Sequence, residues 1–142
     1  MYDFSNKTAL VTGASSGLGE QFARCLNKAG ARVILAARRL DRLMEIAASL
    51  DNTVVVRMDV ADQDSVKCTF KTLEEAGEKI DICINNAGIA ALTPIFEEDP
   101  KQDFEAIIQT NVMGVWYVSK AVAQHMRKQH IHGAIINIGS IY

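Results

Sequence analysis

Along the 142 residues of the chain, the hydrophobic period switches back and forth between that of a strand and that of a helix. Residues 7–12, Lys-Thr-Ala-Leu-Val-Thr, are a short apolar run broken by Gly13 and predict a buried strand. From Gly17 to about Ala29, Leu18, Phe22, Leu26 and Ala29 recur on one helical face, and Gly30 supplies a stop. Residues 31–37 predict a second strand. Residues 39–50 predict a helix with Leu43, Ile46, Ala47 and Leu50 inward, and 53–58 a third strand rich in β-branched residues.

Asp62 is placed to cap a helix reaching about Lys79, with Val66, Phe70 and Leu73 inward, and 80–84 predicts a fourth strand. After a loop over 85–98, Asp99-Pro100-Lys101-Gln102 reads as a helix start: Asp as cap, Pro at the first helical position, Gln as the capping-box amide. Phe104, Ile107, Ile108, Val112, Val115, Val118, Val122 and Met126 then hold a helical period, as one long helix or two contiguous ones, and 133–138 predicts a fifth strand. Trp116 steps off that stripe, which suits either a core edge or a subunit contact. Strands alternating with crossover helices imply an α/β fold: a three-layer, doubly wound parallel sheet in the order 3-2-1-4-5.

Composition narrows the classes. The length suits one domain, and a single domain of this size can bury roughly 70% of the surface of its unfolded chain. Hydrophobic residues at 49% and charged residues at 23% exclude a disordered chain. Fifteen Lys and Arg against seventeen Asp and Glu give a formal charge of −2, without the basic excess that nucleic acid demands. No apolar run is long enough to span a membrane, and residues 1–7 do not read as an export signal, so no membrane partner and a cytoplasmic location are expected. Cys25, Cys68 and Cys83 lie in apolar-periodic segments and are read as buried, reduced thiols. His125, His130 and His132 have no Cys or carboxylate pair at metal spacing and are read as structural or surface residues, with no metal site.

Candidate chemistry begins at the first turn. Thr12-Gly13-Ala14-Ser15-Ser16-Gly17-Leu18-Gly19 joins the first strand to the first helix. Glycines there allow a tight turn, a close approach of backbone N–H groups to a pyrophosphate, and tight packing of helix on strand; the helix N-terminus favours the anion. The segment is read as a dinucleotide site, a Rossmann arrangement. At the end of the second strand an acidic residue would accept from an adenosine ribose, whereas Arg can pair with a 2′-phosphate. Ala37 stands at the acidic position and Arg38-Arg39 follow. NADP is therefore the expected cofactor, with NAD possible, resting mainly on Arg38; the alternative is that both arginines are solvated charges at a helix start.

With its Gly-x-x-x-Gly-x-Gly spacing, Asn85-Asn86-Ala87-Gly88 after the fourth strand and Asn111 in the long helix, residues 5–142 resemble the classical short-chain dehydrogenase/reductase family. Bacterial 3-oxoacyl-acyl-carrier-protein reductases and polyol or sugar dehydrogenases are the nearest-looking relatives. The resemblance implies cofactor contacts from Gly13, Ser15, Ser16, Gly17, Leu18 and Gly19, adenine contacts from Asp59 and Val60, and nicotinamide-ribose contacts from Asn86, Ala87 and Gly88. Asp59 could instead cap the following helix, and Asn85 is expected to brace neighbouring loops.

The resemblance also implies a catalytic set: a Ser after the fifth strand, matched by Ser140, an Asn anchoring a relay water, matched by Asn111, and a Tyr followed four residues later by a Lys. Tyr is a poor base at neutral pH until a nearby cation favours its phenolate. The matching Tyr and Lys would fall beyond Tyr142, so 1–142 is expected to be a C-terminally incomplete dinucleotide-binding domain whose fifth strand leaves an open edge for a sixth. Tyr142 is too close to Ser140. Tyr117 has Lys120 three residues on and sits inside the long helix, so neither is the base. The expected activity is the interconversion of a ketone and a secondary alcohol on a small-molecule substrate. A homodimer or homotetramer built partly from the long helices is expected by resemblance. The alternatives are a non-catalytic dinucleotide-binding or redox-sensing protein, which Ser140 and Asn111 argue against, and an NAD-dependent polyol or sugar dehydrogenase of the same family.

Overall fold

A computed structural model describes residues 2–90 and 100–140. The strands are β1 (Thr8–Thr12), β2 (Arg32–Ala37), β3 (Thr53–Arg57), β4 (Ile82–Asn85) and β5 (Ala134–Asn137). They pair in parallel in the order β3-β2-β1-β4-β5, as the alternation of elements predicts. Successive residues of a strand face opposite sides, and this divides the core in two. Leu10, Ile34 and Cys83 pack with Val66, Phe70, Leu73, Val118 and Val122 on one face, while Val11, Val33, Leu35 and Ile84 pack with Ala23, Leu43 and Ile46 on the other. Each fully buried Leu or Ile stabilises the fold by about 1.5–3 kcal/mol relative to exposure, which is why these short runs carry almost no polar residue.

Among the described residues, five α-helices complete the layers: α1 (Gly17–Lys28), α2 (Leu40–Ala47), α3 (Gln63–Glu75), α4 (Pro100–Ile108) and α5 (Val115–Lys128). Asp62 caps α3 as expected, its carboxylate accepting from the Asp64 N–H at 2.9 Å. Gly77, at φ +74°, stops that helix short of Lys79. The second helix ends at Ala47 because Ser49 turns its hydroxyl back to the Ile46 carbonyl (2.7 Å). The fourth strand begins at Ile82, since the N–H groups of Ile80 and Asp81 go to His125 and the Thr8 carbonyl. The Asp99 cap and the side chain of Gln102 lie outside the described residues.

The long helical segment is continuous, with a π-helical turn over Gln109–Gly114 between α4 and α5. Its expected inward stripe holds only in α5, where Val118, Val122 and Met126 are buried; Phe104, Ile108 and Val112 are exposed, and so is Trp116, which steps off the stripe. A similar correction applies to α1: Leu18 is 63% exposed and lines a cleft, and the buried residues of that helix are Gly19 and Ala23, since it is Gly19 that faces the β1 end, where a Cβ would lie 2.3 Å from the Gly13 carbonyl oxygen. Cys83 is buried as expected, which pushes its thiol up to about 12, but Cys25 and Cys68 are exposed. His125 is buried, its Nε2 accepting from the Ile80 N–H at 3.2 Å. Both faces of β5 are exposed. No helix among the described residues is long and apolar enough to cross a membrane.

Candidate functional site

The C-terminal ends of β1, β2, β3 and β4 open on one cleft of about 410 Å³. This is the edge at which open parallel sheets bind ligands, beside the point where the strand order reverses. Thr12, the last residue of β1, joins two of its walls. Its buried hydroxyl accepts from the N–H groups of Asn86 and Ala87, both at 3.0 Å, and reaches the Ile84 carbonyl at 3.4 Å. Asn86 returns the tie, donating to the Thr12 carbonyl at 3.1 Å and the Gly13 carbonyl at 3.5 Å. Sequence reasoning missed Thr12; a hydroxyl ending an otherwise apolar buried strand was the available signal.

Two glycines make this junction possible. Gly13 has φ +64°, and a Cβ there would lie 2.8 Å from the Ala87 Cα; at Gly19 a Cβ would lie 2.3 Å from the Gly13 carbonyl oxygen. Ser16 sits at the N-cap of α1 without a side-chain cap hydrogen bond. The N–H groups of the first helical turn therefore face the loop without a side-chain acceptor from the N-cap, the arrangement that suits an anion.

Of the residues singled out from the sequence, Gly13, Ser15, Ser16, Leu18, Arg38, Asp59, Val60, Asn86, Ala87 and Gly88 line the cleft. Gly19 is buried behind the loop, and Gly17, exposed at φ +59°, starts the helix with nothing within 4 Å of its would-be Cβ. Arg39, which sequence reasoning ranked below Arg38, is tied to the glycine loop: its Nη2 donates to the Ser16 hydroxyl at 3.0 Å and the Ser15 hydroxyl at 3.2 Å. Arg38 is exposed on the same rim. Met58, Ile89 and Thr110 also line the cleft and gave no sequence signal beyond their neighbours. Asp59 does not cap α3; its Oδ1 accepts from the Ala61 N–H at 3.0 Å and its own N–H donates to Ser65.

Asn111 and Ser140 stand outside the lining of the cleft. The carboxamide of Asn111 pairs with Ile89, accepting from its N–H at 2.9 Å and donating to its carbonyl at 2.8 Å, which leaves one lone pair and one N–H of the amide. Ser140 follows β5, whose Asn137 pairs with Asn85 of β4, so Ser140 and Gly88 leave the sheet at the same edge. Buried Asn85 braces this corner, as expected, donating to Ser119 and to Asn137, each at 2.8 Å. Tyr117 packs against the core, consistent with its exclusion as a base.

Comparison with known proteins decides the family. The model of the short chain dehydrogenase family matches residues 7–142. The chain belongs to the short-chain dehydrogenase family. Within that family it is 37% identical over 147 residues to the gluconate 5-dehydrogenase of Gluconobacter oxydans, covering 99% of this chain and 56% of that protein. It is 37% identical over 132 residues to the NADP-dependent 3-hydroxy acid dehydrogenase of Shigella flexneri, covering 92% and 53%. The solved closed form of serine dehydrogenase complexed with NADP+ superposes with a TM-score of 0.85 at 37% identity, covering 94% of this chain and 54% of that one. The chain spans a little over half the length of these short-chain dehydrogenases.

Proposed function

We propose that this chain is the dinucleotide-binding part of an NADP(H)-preferring short-chain oxidoreductase that interconverts a ketone and a secondary alcohol on a small-molecule substrate. The observation that carries the cofactor reading is the end of β2: Ala37 stands where a carboxylate would repel a 2′-phosphate, and Arg38 and Arg39 lie on the rim of the cleft. The residues present fit such a group. Gly13, Ser15 and Ser16 line the cleft, and the first turn of α1, whose N-cap Ser16 makes no side-chain cap hydrogen bond, offers N–H donors to a pyrophosphate.

In this reading Ser15, Ser16 and the start of α1 hold the pyrophosphate, Arg38 pairs with the 2′-phosphate and Arg39 keeps the serine loop in place. Asp59 and Val60 flank the adenine, and Asn86, Ala87 and Gly88 flank the nicotinamide ribose. When bound, the nicotinamide supplies or accepts the hydride. Ser140 donates a hydrogen bond to the substrate oxygen and stabilises charge developing there. In the family's pattern the proton is moved by a Tyr-Lys pair, which residues 1–142 do not supply at the matching spacing; Asn111 fixes the loop at Ile89.

Binding isotherms test the cofactor reading. The full-length protein is expected to bind NADPH about tenfold to a hundredfold more tightly than NADH, a factor set by one charge-assisted pair, and Arg38→Ala should erase most of the difference. Equal affinities, unchanged by the substitution, would overturn it.

Self-association is the other expected property. Phe104, Ile108, Val112 and Trp116 recur every four residues and are all exposed, Trp116 by 60%, an apolar stripe of the kind that marks a protein contact. Trp116→Glu is expected to shift the full-length protein to a smaller species in sedimentation velocity. An unchanged sedimentation profile removes the stripe from the interface.

A further inference from the structure

The π-helical turn lies beside the cleft, and three successive residues of it reach different places. Gln109 donates from Nε2 to the Ala61 carbonyl at 2.7 Å, in the loop after β3. Thr110 lines the cleft. Asn111 holds both main-chain groups of Ile89, in the loop after β4. In the wider π turn successive side chains diverge by somewhat less than the roughly 100° of an α-helix, which still sends residues two apart to opposite sides, and one turn therefore grips both loops that wall the cleft. Gly114 presses the same turn on the first loop, since a Cβ there would lie 2.8 Å from the Val60 Cγ2. π turns of this kind are rare and concentrate at functional sites.

We propose that Gln109 is a positioning residue for the adenosine half of the cofactor, and that the π turn sets the spacing of the two walls through Gln109 and Asn111. This rests on the dinucleotide reading given above. The chain of contacts is short. Ala61 is held through its carbonyl by Gln109 and through its N–H by the Asp59 carboxylate. Releasing the first contact frees Ala61 to move and takes with it an anchor of Asp59, which lines the cleft. Gln109 itself does not line the cleft, so its effect on a ligand is exerted through this loop.

Half of the cofactor can be probed alone. Adenosine 2′,5′-bisphosphate carries the adenine and the 2′-phosphate but not the nicotinamide. In the full-length protein, Gln109→Met keeps the length of the side chain and removes its donor. It is expected to weaken adenosine 2′,5′-bisphosphate and NADP+ by the same factor, about three- to tenfold, the range of one lost hydrogen bond. Asn111→Ala is expected to weaken NADP+ while leaving adenosine 2′,5′-bisphosphate within about twofold, because it acts on the other wall. Gln109→Ala repeats the first test with a residue that favours helix, and thermal unfolding of each variant separates loss of fold from loss of alignment. Unchanged binding of adenosine 2′,5′-bisphosphate by both Gln109 variants, or an equal loss on Asn111→Ala, overturns the brace. A wild-type protein that binds neither ligand overturns the dinucleotide reading itself.

Discussion

Gly19→Ala is expected to destabilise the full-length protein by about 3 kcal/mol, at the upper end of what overpacking costs in a well-packed interior, and to remove measurable NADP+ binding. The added methyl would lie 2.3 Å from the Gly13 carbonyl oxygen and 2.5 Å from the Asn86 amide nitrogen. Neither can yield alone, because the Asn86 amide is hydrogen-bonded to the carbonyls of Thr12 and Gly13. Either α1 lifts off β1 or the β1–β4 tie breaks, and both deform the glycine loop. Gly17→Ala is the matched comparison. Its φ of +59° is unfavourable for Ala, but nothing lies within 4 Å of the added Cβ, so only the left-handed backbone cost of about 1–2 kcal/mol applies. Urea unfolding of both variants checks the ordering. Equal losses would show that close approach is not what Gly19 serves.

Ser140→Ala is expected to lower kcat of the full-length enzyme by about a hundredfold to a thousandfold, the range measured when one donor to a developing oxyanion is removed. Its dissociation constant for NADP+ should stay within about twofold, because Ser140 leaves the sheet beside Gly88 but does not line the cofactor cleft. The split between turnover and binding is the informative result. Unaltered turnover would take Ser140 out of the chemistry, and a parallel loss of cofactor affinity would make it a structural residue of the β5 corner.

Much of this architecture was legible in the residues. Each strand is a short apolar run ended by a residue unsuited to the sheet interior, and α2, α3 and α5 show their buried faces by period, so sheet order and layering followed from connection rules. The glycine loop was legible because close approach of backbone to backbone tolerates only one residue type. Less visible were features set by geometry across the sheet. The π turn adds residues without a compositional mark, so a stripe counted at ordinary helical spacing runs off the core before α5, leaving Phe104, Ile108 and Val112 outside. Leu18 matched the inward period, yet it is Gly19, one position round the helix, that meets the β1 end, and Leu18 stands on the cleft. Cys25 and Cys68 shared helices with buried residues but stand on their outer faces. Arg39 ranked below Arg38 in the sequence, yet it is the one tied to the serine loop, because which of two adjacent side chains turns there depends on where the chain leaves β2. The exchange of hydrogen bonds between Asn111 and Ile89 depends on two segments meeting, which spacing alone does not report.

The hydroxyl of Thr12 has a consequence for how the protein folds. β1 meets β2 across a short connection but meets β4 only after the whole of β2, α2, β3 and α3 has been traversed, and in the register of that second pairing Ala9 lies opposite Ile82. Closing the longer loop costs about 1 kcal/mol more than closing the shorter one, a modest thermodynamic difference but a slower search. The Thr12 contacts to Asn86 and Ala87 require that non-local pairing of β1 with β4. The glycine loop gains its opposite wall at the moment the central strand gains its second neighbour, so a ligand that needs both walls binds only chains in which β4 has already arrived. Saturating dinucleotide therefore holds β4 against β1 by mass action, and the strand order that builds the cleft also links its occupancy to the stability of the middle of the sheet.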